Sequence, residues 1–336
     1  MAARRILVAI PLPPERRELF APLEEAGFAL AFNELGRALR REELIARLAG
    51  VVATVAGTEP YDEEVFRAAP GLRIVARFGV GHDAVDLAAA TRRRVAVAMA
   101  FGANHEAVAD HAFALMAALA HRILANHRTV RGGGWRTGLH RGLHGTTVGI
   151  LGFGRIGRAL ARRCRGFEMR VLVHDPLVPD AEVTALGGEP VSLDRLLEAA
   201  DFVSLHLPLN EDTRHFVNAA RLARMRPSAF LINTARGGLV DETALAAALR
   251  EGRIAGAGLD VMAREPPLGS PLLELDNLVL SPHIAGLSED AVRRMATVCV
   301  DNILCLSRGR DPGNGRLLNP EVLTGPTDRQ PTEPES

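Results

Sequence analysis

Three glycines, Gly152, Gly154 and Gly157, have a spacing that suits the binding of a pyrophosphate. The apolar run Val148–Leu151 before them is typical of a buried strand, and the residues after them have a helical pattern. Glycine at these places permits a tight turn, a close approach of the backbone to phosphate, and close packing of helix on strand. The amino end of the helix adds free N–H groups and a positive dipole. The spacing therefore predicts a dinucleotide-binding turn.

An acidic residue, Asp175, stands where the next predicted strand ends. An acid about 20 residues beyond such glycines accepts hydrogen bonds from the adenine ribose hydroxyls. Its charge also repels a 2′-phosphate, and Pro176 and Leu177 follow it where an arginine would be needed to bind that phosphate. The sequence therefore predicts NAD as the cofactor, in preference to NADP.

Two other polar residues follow predicted strands and suit the oxidation of an alcohol. Arg236 has a planar guanidinium that can bind a carboxylate and a keto oxygen together. His283 has an imidazole, a side chain that can accept a hydroxyl proton and return it. Ligands of parallel sheets bind beyond the carboxyl ends of the strands, where both residues are expected. For Arg236 the alternative is a surface ion pair with Asp241.

The elements that must position these residues follow a regular alternation. Short β-branched runs alternate with stretches of helical period rich in Ala, Leu and Arg, which is typical of βαβ units and parallel sheets. The rhythm begins again near residue 147, which predicts two lobes. Strands are predicted at 5–10, 28–33, 51–55, 73–77, 95–98, 147–151, 170–174, 202–205, 229–232, 255–259 and 278–280. Helices are predicted at 14–26, 41–49, 62–68, 155–166, 192–199, 218–224 and 241–251, with longer ones at Glu106–Leu124 and Ser288–Leu306.

The composition excludes several classes of function. The chain has 336 residues, 47% of them hydrophobic, which suits two globular domains. Its 40 basic residues balance 40 acidic ones, so no net charge attracts nucleic acid or an anionic membrane. All the basic residues are arginine, which excludes mechanisms that need a Schiff-base or P-loop lysine. Three cysteines without a CxxC pair predict a cytoplasmic protein, and no export signal or membrane span is expected. The polar tail at 325–336 is predicted to be disordered.

Five further stretches resemble the D-isomer-specific 2-hydroxyacid dehydrogenases, over roughly residues 50–322. Within that family the chain is most similar to short phosphoglycerate dehydrogenase-like members that lack a regulatory extension. The stretches are Arg77–Asp86, Ala103–Asp110, Leu205–Pro208, Ile232–Asp241, and Gly258–Pro266 with Ser281–His283. Thr146 and Asp110 stand where the family more often has Lys and Glu.

The resemblance implies an α/β fold of two Rossmann-like lobes. An NAD-binding domain at 100–286 would be inserted into a discontinuous, flavodoxin-like substrate domain at 1–99 and 287–324. It also implies a homodimer built through the cofactor lobes, using the helix at 106–124 and the loop of Trp135. The alternative for Trp135 is a partly buried local anchor.

The resemblance also assigns roles to individual residues. Arg236, Glu265 and His283 would form the catalytic set, with Glu265 holding the second ring nitrogen of His283. The alternative for Glu265 is an ordinary loop acid. The cofactor would contact Gly152, Gly154, Arg155, Ile156, Gly157, Asp175, His206, Pro208, Thr213, Thr234, Ala235, Asp260 and Gly286. The substrate would contact Arg77, Val80, Gly81 and Asn104, with Arg77 a candidate partner for a substrate phosphate.

These observations predict an NAD-dependent oxidoreductase that interconverts a D-2-hydroxyacid and its 2-keto acid by hydride transfer. The substrate would be like 3-phosphoglycerate, glycerate and hydroxypyruvate, or glyoxylate. Alternatives are a dehydrogenase of the same fold that uses formate or phosphite, and a non-catalytic NAD-sensing corepressor. The complete set of Arg236, Glu265 and His283 favours an enzyme. No metal is expected, because the pair His140 and His144 lacks a third ligand nearby.

Overall fold

The structure is a computed structural model that describes residues 4–135 and 138–324. Its strands are β1 (Arg4–Pro11), β2 (Phe28–Asn33), β3 (Val51–Ala56), β4 (Ile74–Arg77), β5 (Ala96–Met99), β6 (Thr147–Leu151), β7 (Arg170–His174), β8 (Glu189–Pro190), β9 (Phe202–Leu205), β10 (Phe230–Asn233), β11 (Gly256–Leu259) and β12 (Leu278–Leu280). Its α-helices are α1 (Ala21–Glu25), α2 (Arg41–Arg47), α3 (Glu63–Ala68), α4 (Leu87–Arg92), α5 (His105–Ala120), α6 (Ile123–Arg131), α7 (Arg155–Gly166), α8 (Asp180–Ala185), α9 (Leu193–Ala199), α10 (Ala219–Arg224), α11 (Glu242–Arg250) and α12 (Glu289–Leu306).

The chain divides into two compact units. One contains the residues up to Asn104 together with those from Glu289 onward, and the other runs from His105 to Ser288. The boundaries expected from the sequence, at 99/100 and 286/287, lie a few residues before these.

The first unit is built on a five-stranded parallel sheet in the order β2-β1-β3-β4-β5. This is the flavodoxin-like order. Residues Ile6–Ala9 of β1 are fully buried, as expected for a strand covered on both faces. Helix α12 packs on β4 and β5, and Cys299 in it lies 3.4 Å from the Arg77 carbonyl oxygen. Helix α12 therefore completes the core of the unit that contains β1.

The second unit is built on a seven-stranded parallel sheet in the order β12-β11-β10-β9-β6-β7-β8. The six neighbouring strands β8-β7-β6-β9-β10-β11 follow the doubly wound order of dinucleotide-binding domains, and β12 is added beside β11. Helix α5 packs on β10 and β11, and α7 packs on β6 and β7. Because all the strands are parallel, their carboxyl ends meet at one edge of the sheet. The predicted α/β class with two Rossmann-like lobes is confirmed.

One predicted helix is wrong as a single element. The apolar run at 106–124 forms α5, which ends at Ala120, and a separate helix α6. Arg122 between them has φ +52°, a left-handed conformation that interrupts the helical hydrogen bonds. The predicted helix at 14–26 is also divided, into a 3₁₀ turn at Pro14–Phe20 and α1, because Pro22 lies at the start of α1.

Two other expectations concern membranes and the chain end. Within residues 4–135 and 138–324, none of the helices has by itself the length and hydropathy of a membrane span; α5 and α6 reach them only jointly, as a pair bent by 56°. The tail predicted to be disordered lies outside the described residues, as do Arg136 and Thr137 of the Trp135 loop.

Candidate active site

The glycine turn after β6 leaves open space at its centre. Gly152 has φ +94°, and a Cβ there would lie 2.7 Å from the His206 carbonyl oxygen. A Cβ on Gly157 would overlap the Gly152 carbonyl oxygen, so helix and turn touch there. A Cβ on Gly154, by contrast, would meet nothing within 4 Å. Gly154 precedes α7, no side chain caps that helix end, and Arg155 and Ile156 follow as its first residues. Two glycines therefore serve packing, and the third faces room for a ligand.

Asp175 lies directly beside this turn. One carboxylate oxygen, Oδ2, accepts a hydrogen bond from the Phe153 amide at 2.7 Å. The other, Oδ1, accepts from the Leu177 amide at 2.9 Å. Each oxygen keeps a lone pair for a further donor. The acid and the glycine turn are thus brought together as the sequence predicts.

Two polar atoms at the same sheet edge are buried and lack a hydrogen-bond partner among the described residues: Nδ1 of His206 and Oγ1 of Thr234. Burial lowers the pKa of His206 to about 4, so this imidazole is neutral at pH 7. Thr213 donates to the Pro208 carbonyl oxygen at 2.7 Å and shapes the loop after β9. Buried polar atoms without partners are costly, so they fit a ligand that supplies hydrogen bonds. With the open glycine turn, these residues fit a dinucleotide.

His283 and Glu265 form a hydrogen-bonded pair. Nδ1 of His283 lies 2.7 Å from Oε2 of Glu265, and Oε1 of Glu265 accepts from the Met262 amide at 3.1 Å. Burial by itself raises the pKa of Glu265, but the hydrogen bond and charge of His283, with the charge of Arg236, lower it below its ordinary value. The acid is therefore ionised at neutral pH. An ionised carboxylate accepts only, so Nδ1 carries the hydrogen and Nε2 remains for proton transfer.

The turn that carries His283 is organised by Asp260. His283 has φ +54°, and its amide donates to the Asp260 carbonyl oxygen at 2.8 Å. The Asp260 carboxylate, which is 1% exposed, accepts from the amides of Ile284 and Ala285, each at 2.9 Å, and from the Ser281 hydroxyl at 2.6 Å. Asp260 is thus placed within the His283 turn, and a contact with the nicotinamide carboxamide stays a prediction. Gly286 follows this turn and is half-buried.

Arg236 lies on a turn that is held by Asn233, a residue to which the sequence assigned no role. Asn233, the last residue of β10, is 1% exposed. Its amide nitrogen donates to the Arg236 carbonyl oxygen at 2.8 Å, and its Oδ1 accepts from the Ala235 amide at 3.0 Å. The sequence feature that could have indicated this role is a polar residue at the end of an otherwise apolar strand. Arg236 itself is half-buried, and its charge acts on Glu265.

Gly237 brings the Arg236 turn against the loop of Glu265. A Cβ on Gly237 would overlap the Met262 carbonyl group, so the two backbones are in contact. Glu242, at the start of α11, accepts from the Ala263 amide at 2.6 Å and anchors the same loop. The three predicted catalytic residues are therefore assembled in one unit by backbone packing.

The proposed substrate residues lie in the first unit. Gly79 has φ +151°, and Val80 and Gly81 beside it are half-buried. Arg77 is 6% exposed, and it donates from Nε to the Gly81 carbonyl oxygen at 3.0 Å and from Nη1 to that of Ala56 at 3.2 Å. Its guanidinium therefore holds the loop Gly79–Gly81 through the Gly81 carbonyl group. Asn104 is 9% exposed, and its buried Oδ1 has no partner among the described residues.

The chain is similar in sequence and in fold to known proteins. Residues 113–285 match the family model described as D-isomer specific 2-hydroxyacid dehydrogenase, NAD binding domain. The chain is 47% identical to a glyoxylate reductase of Korarchaeum cryptofilum, over 79% of this chain and 82% of that protein. It is 36% identical to a D-3-phosphoglycerate dehydrogenase of Archaeoglobus fulgidus, over 91% of this chain and 58% of that protein. A crystal structure of a protein from Thermus thermophilus has a TM-score of 0.85 and 39% identity, covering 94% of this chain and 99% of that one.

The predicted family and the predicted cofactor are both confirmed by these matches. The phosphoglycerate dehydrogenase-like label is one of several that the relatives carry. The chain belongs to the D-isomer-specific 2-hydroxyacid dehydrogenases and is an NAD-dependent oxidoreductase that acts on the CH–OH group of its donor.

Proposed function

We propose that this enzyme reduces small, unphosphorylated 2-keto acids, with glyoxylate and hydroxypyruvate as its substrates. The observation that carries the reaction class is the set of Arg236, Glu265 and His283, with Nδ1 of His283 held 2.7 Å from Glu265. The choice of substrate is supported by the 47% identity to a glyoxylate reductase, against 36% to a phosphoglycerate dehydrogenase. It is also supported by Arg77, the candidate partner for a substrate phosphate. The guanidinium of Arg77 donates to the backbone carbonyl oxygens of Gly81 and Ala56 and so holds the loop Gly79–Gly81.

In this proposal each residue has a defined role. The family resemblance assigns the backbone N–H groups at Gly79–Gly81 and the side chain of Asn104 to substrate binding. Arg236 binds the carboxylate and polarises the keto oxygen with its planar guanidinium. His283 gives the proton from Nε2 to that oxygen during reduction and takes it back during oxidation. Glu265 stabilises the imidazolium. NADH supplies the hydride when it is bound.

The test is a substrate screen with the purified enzyme, following NADH absorbance. Glyoxylate and hydroxypyruvate should be reduced with higher kcat/KM than 3-phosphohydroxypyruvate, and formate and phosphite should not reduce NAD. Activity should survive a chelator, because Arg236 and His283 supply the electrophilic and proton-transfer roles of a metal. A preference for the phosphorylated acid would contradict the substrate assignment. The absence of turnover with every 2-keto acid tested would contradict the proposed substrate class.

We expect NADH to be preferred over NADPH, because the Asp175 charge lies where a 2′-phosphate would be bound. Replacing Asp175 by alanine should lower the ratio of kcat/KM with NADH to kcat/KM with NADPH by about tenfold, because that repulsion is lost. The variant should also lose some affinity for NADH, because Asp175 accepts from the Phe153 and Leu177 amides. Steady-state kinetics with both cofactors measure the effect, and equal efficiencies in the parent enzyme would refute it.

We expect Glu265→Gln to shift the pH dependence of both directions of the reaction toward acid. Glutamine still accepts from Nδ1 but lacks the charge that favours the imidazolium. Reduction needs the protonated imidazole and should fade at a lower pH. Oxidation needs the neutral imidazole and should persist to a lower pH. The pH profiles of reduction and oxidation should both move by about one pH unit, the size expected for a nearby charge.

The matched control for this shift is Glu242→Gln. Glu242 anchors the same loop through the Ala263 amide but makes no hydrogen bond to His283. Its profile should overlay that of the parent. If the Glu265→Gln profiles also overlay the parent in both directions, Glu265 does not act on the proton of His283.

We propose that the enzyme is a homodimer built through the NAD-binding units at the predicted stretch 106–124 and the Trp135 loop, with the contact moved toward α6 because much of α5 is buried within its own unit. None of the residues of α6 is buried in the described part of the chain, and its apolar side chains Ile123 and Val130 are exposed. Trp135 is 86% exposed, so the alternative of a partly buried local anchor is wrong. Leu139 is 98% exposed nearby. Several exposed apolar side chains within one short stretch of the chain are typical of an interface between protein surfaces.

Light scattering should therefore give twice the chain mass of 36.0 kDa. Placing charges at the interface with Ile123→Glu and Val130→Glu should give a monomer, because buried charges without partners are costly. Leu35→Glu, at an exposed leucine of the first unit, should leave the mass unchanged. A monomeric parent at micromolar concentration would contradict the proposal.

We also propose a cytoplasmic location, on the ground that the thiols are unpaired. Cys164, Cys299 and Cys305 form no disulfide in the structure. Burial raises the pKa of the Cys164 and Cys299 thiols to about 12, so neither is a reactive thiolate at neutral pH. Unpaired cysteines that serve packing suit a reducing compartment.

A further inference from the structure

Helix α5 is joined to the turn of His283 by a side chain that the reaction described above does not use. Nε2 of His111, on α5, lies 2.7 Å from Oγ of Ser281. That same hydroxyl lies 2.6 Å from Oδ1 of Asp260. His111 and Asp260 are 3.6 Å apart, which is too long for a direct hydrogen bond. Ser281 is therefore the link between them.

The direction of these two hydrogen bonds follows from counting hydrogens. A serine hydroxyl has one hydrogen, and an ionised carboxylate has none. The hydrogen of Ser281 therefore goes to Asp260, and the oxygen of Ser281 must accept from His111. His111 consequently carries a hydrogen on Nε2 and donates it. This donor keeps the Ser281 hydroxyl turned toward Asp260.

The conformation of His283 depends on the same aspartate. A non-glycine residue at φ +54° is strained and persists where its surroundings hold it. Asp260 holds this turn on both sides, through Ser281 before His283 and through the amides of Ile284 and Ala285 after it. Loss of one of these hydrogen bonds loosens the turn and moves the imidazole relative to the keto oxygen. Proton and hydride transfer are sensitive to displacements of that kind.

We infer that His111 is a positioning residue of the reaction, which acts through Ser281 and Asp260 to fix the orientation of His283. The inference rests on the proposed role of His283 in proton transfer. His111 would contact neither substrate nor cofactor in this role. It contributes one hydrogen bond, which its Nε2–H donates to the Ser281 hydroxyl oxygen.

A pair of amide variants tests this donor. In His111→Gln the amide nitrogen reaches about as far as Nε2, so it can still donate to Ser281. In His111→Asn the side chain is one carbon shorter and cannot reach. We expect the Asn variant to lose about tenfold in kcat, with the KM and Kd of NADH changed by less than about twofold, and the Gln variant to stay near the parent. Equal kcat values for the two variants would overturn the inference.

A second arm uses Ser281→Ala, which removes the link itself and should lower kcat as much as His111→Asn. Because both changes break one chain of hydrogen bonds, the double variant should be no slower than the slower single variant. Multiplicative losses would show that His111 acts by another route. If His111→Asn does not fold, as judged by circular dichroism, unchanged kcat in Ser281→Ala would overturn the inference alone.

These outcomes can be separated from failure of the proposed function. If the proposed function is wrong, His283→Ala keeps its turnover, or the parent reduces none of the keto acids. If only this inference is wrong, His283 is essential, while His111→Asn and Ser281→Ala both turn over at the rate of the parent.

Discussion

Replacing His283 by alanine should lower kcat by about a thousandfold in both directions, while the Kd of NADH stays nearly unchanged. The loss is expected because no other described imidazole is paired with Glu265, and the hydrogen bond at 2.7 Å orients Nε2 for proton transfer. NADH binding should persist, because the glycine turn and Asp175 do not depend on His283. Steady-state rates and NADH fluorescence titrations measure the two quantities.

A second variant separates chemistry from backbone conformation. His283 has φ +54°, and asparagine adopts that region more readily than most residues. His283→Asn should therefore keep the turn and lose the activity as fully as His283→Ala. His144→Ala removes an imidazole that is exposed and should leave kcat unchanged. More than a tenth of the parent kcat in both His283 variants would contradict the assigned role.

Replacing Gly237 by alanine should lower kcat/KM by about a hundredfold and the free energy of unfolding by about 2 kcal/mol. The added methyl group would overlap the Met262 carbonyl, and neither backbone can move without shifting a catalytic residue. On one side of this contact is Arg236, and on the other is the loop of Glu265. The activity should fall more than the stability alone would explain.

The control for Gly237→Ala is Gly166→Ala. A Cβ at Gly166 would meet nothing within 4 Å, and its backbone is not left-handed. Urea unfolding and steady-state kinetics of the two variants give the comparison. If Gly237→Ala has the kinetics and stability of Gly166→Ala, the backbone contact does not position Arg236 and Glu265.

The strands of this protein could be read from the sequence because each is a short apolar run between polar turns. All the predicted strands are present, and most end within a residue of the expected position. The two-residue strand β8 was missed because Glu189–Pro190 is neither long nor apolar. The break between α5 and α6 was missed because Arg122 gives no sequence signal for a left-handed conformation.

The candidate site could be predicted only in part. The residue types and positions of Gly152, Asp175 and His283 follow from their places after strands. The contact of His283 with Glu265 needed the family resemblance, because spacing along the chain does not show which side chains meet. The roles of Asn233 and His111 could not be predicted. His111 lies 170 positions before its partner Ser281, and neither residue type indicates the other.

The late completion of the first unit has a consequence for biosynthesis. The amide of Val97 in β5 donates to the side chain of Asn319, and the Leu318 amide donates to the Val97 carbonyl oxygen. At ribosomal speed, on the order of tens of seconds separate the synthesis of these partners. During that time the second unit is contiguous and can fold, whereas β5 and the face that α12 will cover stay exposed on the nascent chain. Chaperone binding to the emerging polypeptide is therefore most needed at β4 and β5.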